Sequence, residues 1–178
     1  MDKVENETCP MCHKKTLTLI EDEKDIPYFG KVYLFSMSCD NCKFYKADVE
    51  AAEQKPPCKI TFETNSEKDL NVRLIKSSEA HLKIPTLRMD VRPGPDSNGY
   101  ITNIEGVLNR FEKVIQEQKK LAEADGDKAA KTTAKNLLKK IWKIKCGEIP
   151  VKIVIEDPSG NSAIISDKAK FELLKKRK

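Results

Sequence analysis

Three stretches of the chain alternate strictly between apolar and polar residues. Ile60 and Phe62 share one face of Cys58–Glu63, and Leu70-Asn71-Val72-Arg73-Leu74 and Leu87-Arg88-Met89-Asp90-Val91 repeat the pattern. A period of two predicts half-buried strands. Val151–Ile155 and Ala163–Ile165 read as two more, and Pro85, Pro93, Gly94, Pro95 and Gly99 supply turns. Lys31–Ser38 is rich in strand formers, with Pro27 and Gly30 punctuating the loop before it. The period changes at Thr102-Asn103-Ile104-Glu105, which reads as a capping box with Thr102 as N-cap. Ile104, Val107, Leu108, Phe111 and Ile115 then recur at helical spacing as far as Ala124-Asp125-Gly126-Asp127. Asp127 caps a second helix, with Ala130, Ala134, Leu137, Leu138 and Ile141 on one face, and Gly147 and Pro150 stop it.

Outside these segments the pattern is weak. Residues 1–8 read as a frayed polar leader, and 47–56 as a short helix or linker ended by Pro56-Pro57. Residues 167–178 read as a short basic helix with Phe171 and Leu174 facing inward. The organisation is a ribbon over 1–50, a β-domain over 51–166 with a helical hairpin at about 103–146, and a basic tail over 167–178. Strands on both sides of an inserted hairpin predict one sandwich or barrel closing across the insertion. A doubly wound α/β fold is disfavoured, since strands and helices do not alternate.

Composition narrows the classes. At 178 residues the chain suits one domain with a small module. Apolar residues are 39% and charged residues 34%, a modest core under a heavily charged surface. No apolar run approaches the ~20 residues of a membrane span. The acidic start, Met1 to Glu7, is unlike a secretory signal, so a cytoplasmic location with reduced thiols is expected. Charge is uneven: residues 1–100 carry 15 basic and 17 acidic side chains, residues 101–178 carry 18 and 11.

The chemistry concentrates in Cys9-Pro10-Met11-Cys12 and Cys39-Asp40-Asn41-Cys42, two C-x2-C pairs separated by 26 residues. Each pair lets two thiolates on one tight turn reach the same ion, and two such turns complete a tetrahedral zinc site. The gap exceeds the ~15–20 residues usual between such pairs, yet accommodates the hairpin of a zinc ribbon. A redox C-x-x-C normally stands alone beside a βαβ pattern, which is absent. Four thiolates leave no open position, so one structural Zn2+ per chain is expected, held by Cys9, Cys12, Cys39 and Cys42. His13 then reads as an exposed neighbour, His81 as an edge-strand residue, and Cys58 and Cys146 as small core hydrophobes.

Asp157-Pro158-Ser159-Gly160-Asn161-Ser162 reads as a hairpin turn between two strands. Neither a phosphate loop nor a nucleophile elbow occurs, so enzyme activity has no positive support. Lysines gather on the second helix (Lys135, Lys139, Lys140, Lys143, Lys145) and in the tail (Lys168, Lys170, Lys175, Lys176, Arg177, Lys178). They form a solvated face, or a dock for an acidic protein surface or RNA. The scarcity of aromatics beside them disfavours base stacking.

In this order the residues resemble a known family. The two Cys pairs flank Asp25-Ile26-Pro27-Tyr28-Phe29 and Leu34-Phe35-Ser36-Met37-Ser38. Asp69–Glu79, Lys83-Ile84-Pro85, Thr102–Gly106 and Glu156–Ser162 follow. Together they look like the ZPR-type zinc-finger proteins from about residue 7 to 166. Two departures stand out: Lys43-Phe44 replaces the family's usual Gly-Tyr after the second Cys pair, and Pro150-Val151-Lys152 stands where Pro-Phe is frequent. The resemblance implies a mainly β fold: a four-cysteine zinc ribbon followed by a double-stranded β-helix (jelly-roll-like) domain carrying a helical hairpin. It implies the single-module archaeal form, and binding and assisted folding of translation elongation factor 1-alpha. Lys135, Lys139 and Lys143 are the candidate partner contacts. An RNA- or ribosome-associated zinc-ribbon factor is the alternative.

Overall fold

The computed structural model describes residues 1–26, 29–53 and 55–174. The chain begins as an antiparallel meander of β1 (Asp2–Thr8), β2 (Lys15–Ile26), β3 (Gly30–Cys39) and β4 (Tyr45–Ala51), ordered as in the sequence. β3 pairs with β2 along its whole length, from Cys39 opposite Leu17 to Gly30 opposite Ile26. Both Cys pairs therefore lie at one end of a long hairpin. At the other end Ile26, Val32 and Val49 pack on Ile75, joined by Phe29, Leu34, Ile101, Ala163 and Ile165.

Two sheets follow. β5 (Cys58–Glu63), β7 (His81–Ile84), β8 (Met89–Val91), β10 (Lys152–Asp157) and β12 (Lys170–Leu173) form one, ordered β12-β5-β10-β7-β8. β6 (Arg73–Lys76), β9 (Tyr100–Asn103) and β11 (Ala163–Ile164) form the other, ordered β11-β6-β9. Ile60, Phe62, Leu82, Ile84, Ile153 and Ile155 from the first sheet meet Leu74 and Ile164 from the second. α1 (Ile104–Ala124) and α2 (Lys128–Lys145) complete this core with Ile104, Leu108, Phe111, Ile115, Ile141 and Ile144. A fully buried aliphatic side chain of this kind contributes about 2–3 kcal/mol over an exposed one. The result is a mainly β molecule: a four-cysteine ribbon, then a jelly roll with a helical hairpin.

Several segments differ from the sequence reading. Residues 1–8 are not a frayed leader; Asp2–Thr8 pairs with β2, although every residue of the strand is exposed. Tyr45–Ala51 is a strand rather than a helix or linker, held along Val32–Ser38. Leu70 belongs to a 3-10 turn over Glu67–Asn71, and the strand starts only at Arg73. Leu87 likewise closes a 3-10 turn over Pro85–Leu87, leaving Met89–Val91 as the strand. The cap of α1 is Asn103, whose Oδ1 accepts from the Gly106 N–H at 2.7 Å, while Thr102 is still in β9. Asp127 caps α2 by accepting from the Ala130 N–H at 2.9 Å; Ala130 itself is exposed, so the inward face begins at Ala134.

The described part of the tail, up to Leu174, contains no helix. Lys170–Leu173 pairs antiparallel with β5, and Phe171 is exposed rather than inward. Pro27 and the tail residues Lys175, Lys176, Arg177 and Lys178 lie outside the described residues. His81 is on an interior strand, between β10 and β8, not an edge. The turn after β10 is not a hairpin, because β10 and β11 belong to different sheets.

That crossing is a dense polar knot. Asp157 is fully buried, and its Oδ1 accepts from the Ser159 N–H at 2.8 Å and hydroxyl at 2.7 Å. Ser162 Oγ accepts from the Ser77 N–H at 3.0 Å. Gly160 has φ +74°, and a Cβ there would sit 2.5 Å from the Lys55 carbonyl oxygen. Only glycine satisfies both the left-handed backbone and that approach.

Candidate metal centre

Each Cys pair opens a tight turn built the same way. Cys9 and Cys39 begin the turns, and Cys12 and Cys42 follow three residues on. His13 and Lys43 come next, each in the left-handed region, with φ +57° and +61°. The His13 N–H donates to the Cys9 carbonyl at 2.9 Å and the Lys43 N–H to the Cys39 carbonyl at 3.0 Å. This reverses the chain within one knuckle and turns both sulfurs inward. The two knuckles are locked together by β2–β3 pairing and by a small core of Cys9, Leu17 and Cys39 with Leu19, Met37 and Phe44 around it.

The four Sγ atoms lie within 4.8 Å of one another. Cys9 Sγ is 3.7 Å from Cys42 Sγ, and Cys12 Sγ is 3.7 Å from Cys39 Sγ. A disulfide would need about 2.05 Å. Four sulfurs about 2.3 Å from one tetrahedral zinc lie about 3.8 Å apart, which matches. Electrostatics agree with a cation. The Cys42 N–H, the Thr16 hydroxyl and the Asn41 N–H pull the Cys39 thiol down to about 6. At Cys42 the Phe44 N–H acts to lower the thiol. Desolvation and the neighbouring sulfurs Cys39, Cys9 and Cys12 prevail and push it up to about 12. The Lys14 N–H is the main group lowering Cys12. Four thiolates so close cannot all ionise unless a positive charge sits among them; the donor set therefore fits one zinc ion.

The other sequence candidates are elsewhere. His13 is exposed, and no nitrogen of it joins the cluster. His81 Nε2 is 2.7 Å from Asp90 Oδ2 on the outer face of the five-stranded sheet. Cys58 is buried, and desolvation pushes its thiol up to about 11, as suits a core residue. Cys146, expected in the core, is exposed just past the end of α2.

The lysines of α2 divide into two groups. Lys140 donates to the Thr86 carbonyl at 2.5 Å, and Lys145 contacts Asn109 at 2.6 Å and also Glu112, so both fasten the helix to its surroundings. Lys143 is half-buried and 3.3 Å from Glu148. Lys135 and Lys139 are exposed. Between Lys139 and Lys143 stands Trp142, 58% exposed, which the sequence reading passed over. Its signal was available: it lies one residue past Ile141 and so falls off the inward face. Among the described residues no helix is long and apolar enough to cross a membrane.

Comparison with known proteins follows the same two-part layout. The ZPR1 zinc-finger domain matches residues 4–57 and the ZPR1 jelly-roll domain residues 68–176. A ZPR1-like protein of Pyrococcus horikoshii is 36% identical over 169 residues, covering 94% of this chain and 76% of that one. The zinc finger chaperone zpr1 of Schizosaccharomyces pombe is 34% identical over 142 residues, which is 78% of this chain but 30% of the yeast protein. A ZPR1-like protein of Methanocaldococcus jannaschii is 37% identical over 175 residues, 98% of this chain and 87% of its own length. With both parts matched in order and nearly every residue aligned to that relative, this chain belongs to the ZPR1 zinc-finger family.

Proposed function

We propose that this protein is a non-catalytic, cytoplasmic, protein-binding factor that engages translation elongation factor 1-alpha and assists its folding. In this reading Cys9, Cys12, Cys39 and Cys42 hold one structural zinc. The family resemblance motivates this partner, and the observation that supports a protein interface is the exposed side of α2. Lys135 and Lys139 stand on a helix whose inner face is locked into the core by Ala134, Ile141 and Ile144. Trp142 beside them offers an aromatic anchor, a residue type enriched at interface hot spots, within a cationic frame. Such a face suits an acidic surface. The chaperone name of the yeast relative supports a protein partner.

The test mixes purified factor with this protein, in each nucleotide state, at two salt concentrations. Reversal of Lys135 and Lys139 to Glu leaves the inward face untouched, so the fold stays intact. Lys143 is reversed only in a separate variant, since Glu there would also repel Glu148. Slower association and a smaller salt dependence are expected in the double variant. Unchanged kinetics remove α2 from the interface. No complex in any nucleotide state defeats the reading; RNA binding that falls steeply with log salt would then favour the RNA- or ribosome-associated role. Zinc content is checked on a Cys39→Ser protein, which should lose the metal.

A further inference from the structure

The ribbon is one sheet thick, and its two faces differ. Val32, Leu34 and Val49 turn to the face that meets the jelly roll at the distal end. Alternation along β3 puts Tyr33, Phe35 and Met37 on the other face. Their cross-strand partners form a ladder. Glu21 on β2 and Asp48 on β4 lie directly opposite Phe35; Glu23 and Glu50 lie directly opposite Tyr33. Each aromatic ring is thus flanked on both sides by a carboxylate, with Cβ atoms about 5 Å away across each pair. The two rings are 6.4 Å apart and tilted, and both are only half-buried. A groove of about 330 Å3 runs along this face, lined by Phe35, Met37, Lys46, Ala47, Asp48 and Glu50.

Four acidic groups around two aromatic rings favour a cation. Glu23 is 2.6 Å from Lys31, and Asp48 Oδ1 accepts from the Gly99 and Val49 N–H groups, so these two are partly committed. Glu21 and Glu50 are exposed and make no ion pair among the described residues. Lys31 and Lys46 mark the two ends of the ladder, opposite Asp25 and Met37. The geometry points to a docking surface for an extended, arginine-bearing segment of a partner protein. The guanidinium stacks over Tyr33 and Phe35 and pairs with Glu21 and Glu50. Arginine fits better than lysine, because its flat cation both stacks on a ring and forks to a carboxylate. A polyanion such as RNA is repelled by the same rows. This surface is distinct from the lysine face of α2 and stands whatever partner that face meets.

Its test uses the zinc-loaded full chain and a fluorescently labelled peptide of alternating arginine and valine. The probes for comparison are the same peptide with lysine, the same with glutamate, and a single-stranded oligoribonucleotide. The arginine peptide should bind and the lysine peptide more weakly, and any binding of the glutamate peptide or the RNA should be lost when Lys135 and Lys139 are reversed. Glu21→Gln with Glu50→Gln should weaken the arginine peptide about tenfold, and Tyr33→Leu about threefold or more. Zinc content and circular dichroism report folding; the exposed Glu50→Gln single variant keeps the test alive should Tyr33→Leu fail to fold. Reversal of Lys135 and Lys139 should not weaken the peptide. No binding of the arginine peptide up to about 1 mM overturns the proposal. So does equal binding by the wild type and the Glu21/Glu50 variant, or, in the protein with Lys135 and Lys139 reversed, tighter binding of the RNA than of the arginine peptide.

Discussion

Lys43 carries an avoidable cost. It sits at φ +61°, where a Cβ crowds the backbone by roughly 1–2 kcal/mol, partly offset by the extra freedom glycine gains in the unfolded chain. Lys43→Gly should raise stability by about 1 kcal/mol with zinc binding unchanged, read from a urea midpoint and metal analysis. His13, in the same conformation on the other knuckle, provides an independent repeat. Asp69 is a different kind of residue. The Lys168 ammonium at 2.8 Å, the Asn65 N–H and the Ser66 N–H hold its carboxyl below the usual 3.8. A carboxylate more acidic in the folded than in the unfolded chain adds stability that is complete above about pH 4. That stability is lost as pH falls through the folded value. Asp69→Asn should therefore be less stable than the wild type near pH 7 and lose less between pH 7 and 3. An equal loss in both proteins would contradict the role of the pair.

At the scale of the element, the helix starts repay a direct test. Asn103 and Thr102 compete on paper for the cap of α1, and only Asn103 accepts from a helix N–H. Asn103→Ala should cost about 1 kcal/mol, while Thr102→Ala should cost little through capping. Equal losses would return Thr102 to the cap. The same scale decides what was legible in the sequence. β10 was clear because Ile153 and Ile155 are driven inward by their own alternation. The two helices were clear because their apolar stripes are long. β1 was not, since its seven residues are all exposed and the strand exists only because β2 offers an unpaired edge. β12 was misread for the same reason: its Phe171 and Leu173 bury little, so their spacing reports no core. The four-thiol cluster was legible because the Cys spacing is itself the geometry. The acid–aromatic ladder was not, since it needs the register between three strands, which no single strand reveals.

For the molecule as a whole, the decisive fact is that the ribbon has two separate cores. The one beside the cysteines consists of little more than Cys9, Leu17 and Cys39, too small to hold without metal. The distal one is shared with the jelly roll through Ile75. Removing zinc should therefore release the knuckles and the near ends of β2 and β3 first. Val32 and Val49 should stay protected, along with the sandwich. Amide exchange before and after a chelator distinguishes this from global collapse. Simultaneous loss of protection in Val32 and Ile155 would mean that one cooperative unit spans the chain.

The two helices leave and rejoin the body at almost one place. The Ile104 N–H bonds to the Val72 carbonyl, next to the 3-10 turn Glu67–Asn71, and Gly147 comes within reach of Glu67 at the same turn. The hairpin is thus seated on the core along its first turns, from Ile104 to Ile115 and from Ile141 to Ile144, and its tip around Gly126 projects beyond them. At 1.5 Å per residue, its 21-residue first helix reaches about 30 Å. Adding or deleting whole turns near Gly126, equally on both sides, changes that span without moving a strand. Reach is a dimension this architecture can adjust by itself, as a crane changes its boom and keeps its base.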